Sequence, residues 1–212
     1  MRLLIVFTLL ALTAPLRAAP VDAAAIVRQG NNRGAVACSE CHDRNGRPRP
    51  TAVPQLAGLN AQYLRKQLDD FAGGSRDHPV MQPIARALSE DERAALARWY
   101  ATQTAVAATD APVNRKDNPD GERLALRGRW SAQVPACEQC HGPGGVGVGA
   151  HFPALAGQPA DYLEAQLKAW QQGTRRNDPL ALMQQVAKAL DGQDITAVAA
   201  WFAALPPDGN RG

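Results

Sequence analysis

All four cysteines of the 212-residue chain fall in two short strings, Cys38-Ser39-Glu40-Cys41-His42 and Cys137-Glu138-Gln139-Cys140-His141. The C-x-x-C-H spacing sets two thiols one helical turn apart and an imidazole directly after the second. Thiols so placed can add across the two vinyl groups of a porphyrin and hold it by thioether bonds. The histidine that follows then lies beneath the ring, with a nitrogen toward iron. Two covalently attached haem c groups are therefore expected, one on Cys38 and Cys41, the other on Cys137 and Cys140, with His42 and His141 as axial iron ligands. Other chemistries of paired cysteines fit less well. A zinc site places its second pair about 15–20 residues from the first, whereas 96 positions separate Cys41 from Cys137. A redox C-x-x-C follows a strand in a βαβ unit, and both pairs here follow a helical signal.

A haem iron has a sixth position, and the methionines point to its occupant. Besides the initiator there are two, Met81 at 39 residues after His42 and Met183 at 42 after His141. A lone methionine is ordinarily flexible core filler, but one at the matching place of each half reads as a second axial ligand. His78 and His151 are the rivals and do not correspond to one another. The run Gly142-Pro143-Gly144-Gly145-Val146-Gly147 spells a dinucleotide fingerprint by letter alone, because that motif needs a strand before it and a helix after it. It reads instead as a flexible loop passing the haem.

The elements that must hold these residues repeat. At an offset of 99, Pro54, Leu56, Ala57 and Gly58 meet Pro153, Leu155, Ala156 and Gly157, and Tyr63, Leu64, Gln67 and Leu68 meet Tyr162, Leu163, Gln166 and Leu167. Arg76 meets Arg175. Three extra residues then shift the offset to 102, pairing Met81 with Met183, Leu88 with Leu190 and Trp99 with Trp201. Each copy carries a short helix before its cysteines, a middle helix and a final helix. Asp22 and Asp120 are expected to cap the first helices, Asn60 precedes a helical face formed by Tyr63, Leu64, Gln67, Leu68 and Phe71, Pro159 suits a first turn, and Ser89 with Glu92 spells a capping box. Without sustained alternation of period two, few strands are expected and the fold class is all-α. The boundaries expected are a signal segment 1–19, a first domain 20–104, a linker 105–119 within the Ala- and Pro-rich stretch Ala101 to Pro119, and a second domain 120–212.

Composition narrows the function. At 45% hydrophobic and 20% charged residues the chain is neither a polytopic membrane protein nor largely disordered. With only 11 aromatic side chains, two cores need another apolar filler, which porphyrins would supply. Arg2, the apolar run Leu3 to Leu12, Pro15 and the small residues at Ala18 and Ala19 read as an export signal, with a run shorter than the ~20 apolar residues of a spanning helix. The formal charge of +3 falls to +1 once Arg2 and Arg17 leave with it. No basic cluster remains to release counterions from nucleic acid. A periplasmic protein is expected.

With these residues in view, the chain resembles the cytochrome c4 family, the exported di-haem members of the class I cytochromes c. The resemblance rests on Pro153-Ala154-Leu155-Ala156-Gly157-Gln158, Asp161-Tyr162-Leu163 with Gln166-Leu167, Gly173-Thr174-Arg175, Met183 and Trp201-Phe202, and on their first-copy counterparts. Leu59 stands where a glutamine is expected, a departure that touches no ligand. The resemblance implies two tandem class I cytochrome c domains about a pseudo-twofold axis, with haem propionates near their interface. It also implies that the Pro54 and Pro153 carbonyls accept the imidazole N–H of His42 and His141. Function would be one-electron transfer without enzyme activity, from a quinol-oxidising cytochrome complex to a haem-copper terminal oxidase, with peripheral contact to such membrane complexes. The alternatives are an electron-accepting subunit of a dehydrogenase and a di-haem enzyme of peroxidase or thiosulfate-oxidising type.

Overall fold

The computed structural model describes residues 20–47, 52–106 and 117–209. The expected signal segment and most of the expected linker lie outside them. The first module contains α1 (Ala23–Gln29), α2 (Ser39–His42), α3 (Ala61–Gly73), α4 (Met81–Ala87) and α5 (Glu90–Ala101). The second repeats the order with α6 (Pro119–Arg127), α7 (Cys137–His141), α8 (Ala160–Gln172), α9 (Leu182–Lys188) and α10 (Gly192–Ala203). Among the described residues there is no strand, only three isolated bridges. No helix of the described residues is long and apolar enough to cross a membrane.

The helices start where short polar side chains can take up their unpaired N–H groups. The Asp22 carboxylate accepts from the Ala25 N–H, and the Asn60 side chain from Gln62 and Tyr63. Ser89 and Glu92 form the expected capping box, and Asp191 with Asp194 forms a second. Asp120 is not the cap of α6. Asn118 holds that place and accepts from Gly121, because Pro119, lacking a donor, occupies the first helical position and leaves Asp120 inside the first turn.

In each module the first and last helices pack together, and the middle helix packs on the last. Ile26, Val27, Leu64, Leu96 and Tyr100 belong to one core, and Leu124, Ile195, Val198, Phe202 and Leu205 to the other. The glycine-rich run is not a loose loop. Gly144 and Gly145 are buried in a 3₁₀ turn, the Gly147 N–H donates to His141 O at 2.7 Å, and the Leu155 N–H to Gly145 O at 2.8 Å. Gly46 O accepts the equivalent bond from the Leu56 N–H. At Gly46 and Gly145 φ is positive, +72° and +71°, and a Cβ would stand 2.6 Å from Tyr100 or Phe202. The last helix thus packs on bare backbone beside the C-x-x-C-H turn.

Gly145→Ala should combine left-handed strain with a clash against Phe202, destabilising the second module by about 2–4 kcal/mol. A thermal unfolding comparison with the unsubstituted protein checks this.

Candidate haem centres

Each C-x-x-C-H string forms one short helical turn, in α2 and α7, and each histidine is buried. His42 Nδ1 lies 3.2 Å from Pro54 O, and His141 Nδ1 lies 2.7 Å from Pro153 O. A carbonyl can only accept, so Nδ1 carries the hydrogen and Nε2 keeps a lone pair for a metal. Burial pulls the His141 imidazole below its usual range, against the opposing pull of the Pro153 carbonyl. The neutral form, which binds iron, is thereby favoured. Burial also pushes the thiols up, Cys137 to about 12 and Cys38 in the same direction. Redox-active cysteines show the opposite shift. Among the described residues no three His, Cys, Asp or Glu side chains converge as a zinc site requires.

The second module encloses a cavity of about 430 Å³ bordered by Cys137, Cys140, His141 and Met183. Its size lies within the roughly 300–1,000 Å³ of cofactor sites, and its donors are two thiols, an imidazole and a thioether around an apolar space. That set fits a covalently held haem. His151 also borders the cavity but is solvent-exposed. In the first module Met81 opens α4 and is half-buried, while His78 is exposed and its Nδ1 accepts from the Met81 N–H at 3.2 Å.

The cavity is completed from the other module. Leu59, Tyr63 and Gln67, on or just before α3, border it along with Tyr162 and Gln166 of α8. Between the modules Arg76 and Arg175 face each other in an antiparallel bridge. The Asp77 N–H donates to Thr174 O and the Arg176 N–H to Ser75 O, both at 2.9 Å, so the two segments are related by an approximate twofold. The guanidiniums cross over. Arg76 donates to Gln67 of its own module and to Tyr162 OH and Gln166 of the other. Arg175 donates to Gln166 of its own module and to Tyr63 OH and Gln67 of the other. Arg76 also stacks on Phe71, and Arg175 on Trp170 at 3.9 Å.

Both arginines are buried, 6% and 5% exposed, and neither has a carboxylate partner among the described residues. Burial lowers the Arg175 pKa, and the nearby charge of Arg76 adds to that. Burial would raise the Tyr162 phenol, but the charges of Arg76 and Arg175 outweigh it and bring the pKa below its usual value. Trp170, bordering the cavity, has a buried indole N–H without a partner among the described residues. Unneutralised cations and a spare donor beside an apolar cavity suit a planar apolar group that carries carboxylates, as haem does.

The sequence singled out the candidate ligand residues but not this polar lock. Its signal was present: Gln67 and Gln166 interrupt otherwise apolar helical faces, and Arg76 and Arg175 recur at the same offset.

Residues 126–206 match the family described as cytochrome c. The chain is 49% identical to a thiosulfate dehydrogenase electron acceptor from Stutzerimonas stutzeri, over 91% of this chain and 90% of that one. It is 36% identical to cytochrome c4 from Pseudomonas aeruginosa, over 87% and 89%. Its fold superposes on the thiosulfate dehydrogenase TsdBA from Marichromatium purpuratum with a TM-score of 0.80 at 42% identity, covering 88% of this chain but only 40% of that longer one. The chain belongs to the cytochrome c4 family and is a di-haem c-type cytochrome that carries electrons.

Arg175→Leu should strip a charged donor from Tyr63, Gln67 and Gln166 together and lower stability by about 2–3 kcal/mol. Urea unfolding measures the loss.

Proposed function

We propose that this cytochrome takes electrons from an exported dehydrogenase that oxidises a small sulfur oxyanion such as thiosulfate, and hands them singly to respiratory partners. The observation that carries this reading is the likeness, over nine-tenths of both chains, to a protein named for accepting electrons from thiosulfate dehydrogenase. The longer chain titled thiosulfate dehydrogenase adds support, since it contains a region of the same fold. Sulfur oxyanion oxidation releases electrons in pairs while each iron takes one, so two irons in one chain match one turnover.

In this reading residues 20–104 and 120–212 are the two haem domains, 105–119 joins them, and 1–19 directs export to the periplasm. Bound haem supplies a reversible one-electron change at iron. His42 with Met81, and His141 with Met183, would hold the two irons from both faces and would leave neither open to substrate, so the chain is a carrier rather than an enzyme. The Pro54 and Pro153 carbonyls fix the imidazole orientations. The methionine thioether favours the ferrous state and raises the potential, and an apolar cavity disfavours the extra charge of the ferric state in the same direction.

Mixed anaerobically with a thiosulfate dehydrogenase and thiosulfate, the ferric protein should take up two electrons per chain at a rate that rises with enzyme concentration. A protein that stays ferric there, yet is reduced rapidly by a quinol-oxidising cytochrome complex, would reverse the choice of donor. Met183→Ala should open the second iron to cyanide and lower its midpoint potential, with the first little changed; a spectroelectrochemical titration reads both effects.

A further inference from the structure

The repeat breaks its symmetry at one hydrogen-bonded pair. Gln158 of the second module is 3% exposed and meets the backbone of Gln55 in the first. The Gln55 N–H donates to Gln158 Oε1 at 3.1 Å, and Gln158 Nε2 donates to Gln55 O at 2.9 Å. The Gln55 N–H belongs to the same peptide unit as the Pro54 carbonyl, and that carbonyl faces His42 Nδ1. One unbroken chain thus runs from His42 Nδ1–H to Pro54 O, through the peptide to the Gln55 N–H, and on to Gln158.

The counterpart pair in the repeat is Leu59 facing Ala154. Leu59 offers no polar atom, and Ala154 simply packs against the apolar core to which Leu59 belongs. Among the described residues, the second module's His141–Pro153 unit therefore receives no such side-chain contact from the first. Hydrogen bonds in series polarise one another: when the amide N–H donates, its carbonyl becomes a stronger acceptor. A stronger pull on the Nδ1 hydrogen makes the imidazole a more electron-rich ligand.

We propose that Gln158 is a positioning residue that acts across the module interface on the proximal histidine of the first iron: by polarising the Pro54 carbonyl it strengthens a hydrogen bond that is the longer of the two, 3.2 Å against 2.7 Å, and lowers that iron's potential below the value it would have without the contact. The Gln158 contact between the modules is then also a device that tunes one of two otherwise similar sites. This rests on His42 being the proximal ligand and Met81 the distal one.

The test compares Met81→Ala with Met81→Ala/Gln158→Leu in the full-length holoprotein. In both, only the first iron is five-coordinate when reduced, so resonance Raman reads its iron–histidine stretch alone. The double variant should show that stretch at lower frequency. In an otherwise unsubstituted protein, Gln158→Leu should raise the first midpoint by more than it moves the second, whose cavity Gln158 also borders. An unchanged stretch, or equal shifts at both irons, would overturn the proposal. A Met81→Ala protein with no five-coordinate ferrous signal would instead overturn the ligand reading on which it rests.

Discussion

The hydrogen bond from the imidazole of each C-x-x-C-H string to a proline carbonyl is the contact around which each module is arranged. The histidine ends a helix of one turn, too short to hold its own orientation. It is held by a carbonyl 12 residues on, and the chain between must fold back tightly to deliver it. That return explains the bare glycine against Tyr100 or Phe202, the bonds from Leu56 to Gly46 and from Leu155 to Gly145, and the crossing of the last helix over this segment. In the second module the apolar residues of the surrounding helices then border the cavity.

Where the modules meet, buried charge stands beside the apolar Leu59–Ala154 contact. Two buried guanidiniums side by side repel one another and cost desolvation. They are held by six side-chain hydrogen bonds to glutamine and tyrosine oxygens and by the faces of Phe71 and Trp170. Since none of these partners is a carboxylate, positive charge remains at the edge of the cavity that Arg175 borders. An interface of this kind orients as well as binds, since guanidinium hydrogen bonds tolerate little rotation.

Much of this was legible in sequence because covalent attachment demands fixed spacing and because a duplicated chain shows its pattern twice. The helical class, the repeat, the cap at Asp22 and the box at Ser89 followed from local chemistry. Asp120 misled because Pro119 moves the helix start back by two places, and two candidate caps stood within three residues. The glycine run misled because a sequence without side chains looks loose, whereas these glycines are small so that Phe202 can come close. The arginine lock depends on contacts more than 80 residues apart, which no local pattern encodes. The exchange of Gln158 for Leu59 passed as minor because neither is a ligand; its weight appears only once the facing backbone is known.

The crossed arginine bridge has one more consequence. A contact made of a few hydrogen bonds is weak between separate chains, where lost translational freedom must be overcome. Joining both halves in one polypeptide turns that encounter into an intramolecular one, with an effective concentration on the order of millimolar for a short connection. Gene-level fusion therefore lets the halves meet through polar groups, and neither half has to carry the sticky apolar face that an independent dimer would need.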